Sequence, residues 1–125
     1  MSVEFEVAFE ALTGVLRKHS GDFTVQADTA TEYSVVGKRA SPFPQHKGQP
    51  MWFGAVRVGK AYVSFHLMPL YMNPALVKMI STALKKRMQG KTCFNFTRIP
   101  EPELLRELEQ LTAATMGDWT AKQWL

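Results

Sequence analysis

Cysteine is the scarcest useful residue in this 125-residue chain, occurring once, at Cys93. A single thiol excludes an internal disulfide and any CxxC metal or redox pair, and it agrees with a reducing compartment. The three histidines, at positions 19, 46 and 66, show no zinc-ligand spacing. HExxH, GxSxG and GxGxxG patterns are missing, so no metal, hydrolase or dinucleotide signature is present and no motif specifies a cofactor. No stretch approaches the roughly 18 apolar residues that a membrane span requires. The start, MSVEFEVAFE, is acidic where a leader would be basic. These absences predict a cytoplasmic chain with no membrane partner. There is also no internal repeat and no low-complexity tract.

What is present is average for a folded domain: 46% hydrophobic and 21% charged residues. The length suits one hydrophobic core, so residues 1–125 are read as a single domain. The formal charge of +4 is local rather than diffuse. Lys78, Lys85, Lys86, Arg87 and Lys91 crowd one stretch, whereas glutamates front the first and last segments. Such a cluster can attract phosphate. Without interleaved exposed aromatics it makes a poor nucleic-acid footprint and reads first as a solvated helix end.

Along the chain, Phe5, Phe9, Leu12 and Leu16 keep the spacing of one helix face and predict a helix over 3–19. FTVQA and EYSVVG read as short strands. ASPFPQHKGQP, with three prolines and a glycine, reads as a surface loop over 40–50. MWFGAVRVGKAYVSFHLM is a hairpin whose Gly59-Lys60 suits a two-residue II′ turn, which pairs Val58 with Ala61. One face then carries Trp52, Gly54, Val56, Val63, Phe65 and Leu67 as core; the other carries Phe53, Arg57, Tyr62, Ser64 and His66. Asn73 and Pro74 open a helix predicted to run to 89, with Leu76, Ile80, Leu84 and Met88 buried and Gly90 as its left-handed cap. TCFNFTR alternates as a strand, and Pro102 opens a last helix closing near Gly117. The predicted order is α-β-β-β-β-α-β-α. It is an α+β fold whose antiparallel or mixed sheet carries helices on one face. The two tryptophans of the tail, DWTAKQWL, predict that it docks rather than hangs free.

The stretch KKRMQGKTCF contains Gly-Lys-Thr, the end of a phosphate-binding loop. A Walker A loop needs an earlier glycine where Lys85 stands, and must run from strand into helix, whereas this one leaves a helix and enters a strand. The match is a chain reversal. The strand that follows can place Cys93 and Asn95 on the polar hairpin face, beside His66. A Cys-His pair there has the make-up of a nucleophile and base. The blander alternative is a half-covered polar face with an inert thiol, and the balance leans away from an enzyme.

The segments FGAVRVGKAYVSFHLMPLY, QGKTCFNF and EPELLRELEQL, over about 50–115, resemble the YdhG-like family of small bacterial domains of unknown function. The resemblance implies an α+β fold, and some members are described as frataxin-like iron chaperones. On that reading Glu6 and Glu10, which share a helix face with Glu4 nearby, are the candidate metal ligands.

The leading functional reading from the residues is non-enzymatic binding of a small, anionic molecule, or an adaptor role. The site residues are Phe53, Arg57, Tyr62, Ser64, His66, Cys93 and Asn95, with the 40–50 loop as lid. Iron binding is the first alternative, and weak phosphate or nucleic-acid binding through positions 78–91 is the second. A homodimer is left open.

Overall fold

The computed structural model describes residues 2–125. Helix α1 spans Val3–Arg17; the Ser2 hydroxyl caps it by accepting from the Phe5 amide at 3.1 Å. Its stripe of Phe9, Leu12, Val15 and Leu16 is buried against the sheet and against the C-terminal helix. Strands β1 (Thr24–Asp28), β2 (Glu32–Ala40), β3 (Pro50–Val58) and β4 (Val63–Leu67) form a meander. The short β5 (Met88–Gln89) and β6 (Cys93–Phe96) complete an all-antiparallel sheet of order β1-β2-β3-β4-β6-β5. With the helices added, the fold is α+β as predicted, the sheet being antiparallel rather than mixed.

The hairpin departs from its predicted turn. Val58 pairs with Val63, Arg57 with Ser64 and Gly54 with Leu67. A four-residue loop, Gly59–Tyr62, is closed by the Gly59 amide donating to the Tyr62 carbonyl at 2.8 Å. Positive φ occurs at Gly48 and Gly90 but not at Gly59, so the II′ turn does not form. The slip is by two residues, and an even slip leaves every side chain on its predicted face. The face assignment fails elsewhere, at a bulge: Val35 pairs with Gly54, but Val36 pairs with Trp52, leaving Phe53 unpaired with β2. The extra residue reverses the alternation. Phe53 turns into the core and Trp52 turns out.

The segment predicted as one helix over 74–89 is broken. A single turn, α2 (Pro69–Met72), precedes it, and it contains two more, α3 (Pro74–Val77) and α4 (Thr82–Lys85), before β5. Asn73 does cap, accepting from the Ala75 amide at 3.1 Å, with Pro74 at the first position. The chain then leaves helical geometry before Ser81, which starts α4. The Ser81 hydroxyl accepts from the Leu84 amide at 3.1 Å and donates to the Glu107 carboxylate at 2.6 Å, and its amide donates to the same carboxylate at 2.7 Å. Two strong charge-assisted bonds from a distant helix outweigh the helical continuation. Leu76, Ile80 and Leu84 are buried all the same. Gly90 is left-handed, with φ of 73°, as the turn between β5 and β6 rather than as a helix cap.

Helix α5 runs Pro102–Ala121, past Gly117, because the buried series Leu108, Leu111, Thr112, Thr115, Met116 and Trp119 continues one turn further. Gln123, at φ 63°, then reverses the chain, and the Trp124 amide donates to the Trp119 carbonyl at 2.9 Å. Trp124 packs edge-on against Phe43 and Trp119, with ring centroids 5.4 and 6.0 Å apart. The tail docks on its own chain. Among the described residues, no helix is long and apolar enough to cross a membrane.

Candidate functional site

Pairing of β4 with β6 puts Ser64 opposite Asn95 and His66 opposite Cys93. The fold therefore gathers Arg57, Ser64, His66, Cys93 and Asn95 on the outer sheet face, as the alternation predicts. Two predicted members do not join them. Phe53 is 0% exposed, packed between Phe23 and Trp119 at centroid distances of 4.6 and 5.3 Å, and the bulge is the reason. Tyr62 lies in the exposed loop before β4, outside the ladder.

Trp52 takes the place predicted for Phe53. Its indole N–H donates to the Ser34 hydroxyl at 3.0 Å, its ring lies 5.8 Å from that of His66, and the Arg57 guanidinium stacks over it at 5.4 Å. In the ladder Ala55 sits between Ser34 and His66, so the indole spans it, and both Ala55 and Ser34 are buried. Arg57 is also paired with Glu32 at 3.2 Å across β2. The polar face is thus a layer that already satisfies much of its own hydrogen bonding and charge.

Cys93 Sγ lies 3.8 Å from His66 Nε2 and donates to Asn95 Oδ1 at 3.2 Å. Burial pushes the Cys93 thiol up, against smaller downward pulls from the Ser64 hydroxyl and the Arg57 charge. Burial, and then Arg57, holds the His66 imidazole below its ordinary value. Both shifts favour the uncharged forms, so the pair is a neutral thiol beside a neutral imidazole. A nucleophilic cysteine needs the opposite arrangement.

The predicted metal ligands stay apart from other donors. Glu4, Glu6 and Glu10 are exposed along α1, and among the described residues no three His, Cys, Asp or Glu side chains gather where they could hold an ion. The basic stretch is divided by the break between α3 and α4. Lys78, Lys85 and Lys91 border one groove, while Lys86 and Arg87 share a recess with Glu101 and Glu103.

The concavity nearest the polar face is one the alternation does not reveal. A groove of about 280 Å³ lies between the loop joining β2 to β3 and the segment around α2. Phe43, His46, Met51, Trp52, Met68 and Tyr71 are among its walls. The loop is a built wall: Ser41 N–H donates to the Gln49 carbonyl, the Phe43 amide donates to the Ser41 hydroxyl at 3.1 Å, and that hydroxyl bonds His46 Nδ1 at 2.6 Å. With Nδ1 engaged, His46 Nε2 is left for a ligand. Trp52 and Tyr71 are the residues the sequence reading misses here. Their signal is the density of aromatic and methionine residues that follow the proline-rich loop, at Met51, Trp52, Met68, Tyr71 and Met72.

The chain matches no family model, no curated protein and no solved structure.

Proposed function

We propose that this protein is a non-enzymatic binding module for a small, largely apolar or aromatic molecule, held in the groove between the 41–49 loop and α2. The observation that carries the reading is the wall composition. Three aromatic rings, Phe43, Trp52 and Tyr71, and three methionines, Met51, Met68 and Met72, surround two polar groups, Gln45 and His46. Apolar walls with a few directed polar groups are the usual make-up of a ligand site, and methionines adapt to irregular shapes. The volume is below that of a drug-sized site, which limits the ligand to about one ring system. Trp52 joins this groove to the layer of Arg57, Ser64, His66, Cys93 and Asn95, which orients the indole rather than touching the ligand. A reducing compartment suits the free Cys93 thiol.

Titration of the ¹⁵N-labelled protein with indole and with p-cresol tests the reading. Saturable shifts at Phe43, His46, Trp52 and Tyr71, weakened by Trp52→Ala and by His46→Ala, are expected. Saturation at other residues, or shifts that stay linear to the solubility limit of both probes, would overturn it.

A further inference from the structure

Beyond that groove, we infer that a second site, on the far side of Tyr71, binds an anionic head group attached to an apolar or aromatic body. The site is a recess of about 250 Å³ between α2, α3, α4 and the β5–β6 turn. Leu70, Pro74 and Val77 provide apolar surface, and Lys78, Lys85 and Lys91 border it. Each lysine comes from a different segment: Lys78 ends α3, Lys85 closes α4, and Lys91 follows the left-handed Gly90. The break after α3 is what turns Lys78 and Lys85 toward one recess and Lys86 and Arg87 toward another.

The recess differs from an ordinary solvated charge run in what its cations face. None of the three lysines has a carboxylate within ion-pairing distance among the described residues, a state they share with most of the chain's cations, Lys86 and Arg87 included. Lys91 instead sits over the Tyr71 ring, its Nζ 5.5 Å from the centroid, and Tyr71 is 62% exposed. An exposed aromatic plate with uncompensated cations at its rim matches a ligand that is anionic at one end and flat or apolar at the other. A bare anion uses only the lysines. A neutral ring uses only the floor.

The experiment is a titration of the intact chain with phenyl phosphate, with inorganic phosphate and benzyl alcohol as the two halves of the probe, followed by ¹⁵N amide shifts. Phenyl phosphate is expected to saturate with shifts at Tyr71, Val77, Lys78, Lys85 and Lys91. Inorganic phosphate should bind about tenfold more weakly, the effect of withholding roughly 55 Å² of apolar contact. Each of Lys78→Gln, Lys85→Gln and Lys91→Gln should weaken phenyl phosphate by up to about fivefold, the factor a unit charge about 4 Å away supplies in water. The paired variant Lys86→Gln/Arg87→Gln keeps the same kind of charge loss outside the recess and should change affinity less than twofold. Equal loss from both sets would reduce the effect to net charge and overturn the proposal. So would unsaturable binding, phosphate binding as tightly as phenyl phosphate, or shifts centred on Trp52. Amide dispersion of each variant confirms that the fold is intact.

Discussion

Phe53 sets its ring edge-on against Trp119 of α5, centroids 5.3 Å apart, although the alternation of its own strand assigns it to the opposite side of the sheet. The contact ties the bulge in β3 to the C-terminal helix. Phe53→Ala should therefore behave as a core truncation and cost about 3–5 kcal/mol. Trp52→Ala, on the half-exposed outer face, should cost about 1–2 kcal/mol at roughly 25 cal/mol per Å². Urea unfolding of the two variants checks the order; equal losses would mean that the bulge does not partition the neighbours as described.

Gly54 leaves no room for a side chain between β3 and β4. A Cβ at this position would stand 2.5 Å from the His66 carbonyl oxygen, a backbone atom that cannot swing aside. Gly54→Ala should lower stability by about 1–3 kcal/mol. Gly59→Ala is the matched control, because its Cβ would meet the Tyr62 carbonyl at 3.4 Å, an ordinary contact. Thermal melts in which the two variants are indistinguishable would contradict the geometry.

His66 couples folding to pH. Its imidazole is held below the ordinary value by burial and by Arg57, so the unfolded chain takes up this proton first as pH falls. The stabilising effect of a neutral His66 is complete above about pH 6.5 and is lost as pH drops below that toward the folded value. Wild type should lose stability between pH 7.5 and 5.5 more steeply than His66→Gln. Parallel denaturation curves for the two proteins across that window would refute the coupling.

Cys93 should react slowly. With its thiol pushed up by burial, alkylation by iodoacetamide at pH 7.5 is expected to run well below the rate of an unstructured cysteine, and to rise to that rate in urea. Labelling of the folded chain as fast as of glutathione would show a thiolate, and would reopen the nucleophile reading of the Cys93–His66 pair.

The elements that were legible in the sequence are those set by local rules. The α1 stripe, the alternation of Phe94 and Phe96 against Cys93 and Asn95, and the Asn73 cap all depend on residues within a few positions of one another. The polar face followed from the same period. Two of the misreadings have a different cause. The bulge at Phe53 is set by pairing with β2, and the break before α4 by a carboxylate on α5, 26 positions beyond Ser81. Trp52 was assigned to the core because nothing near it in sequence announces a register shift. The groove at Trp52 joins residues 43–52 to residues 68–72, two stretches whose proximity only the folded sheet creates.

Tyr71 borders both recesses, the one walled by Trp52 and the one rimmed by lysines. On the two proposed readings a single ring would contact both occupants, and the orientation that suits one would be imposed on the other. Occupancy on either side would then alter affinity on the opposite side by one common factor, whichever ligand arrived first. Replacing Tyr71 with alanine would remove that shared partition and take one wall from each recess.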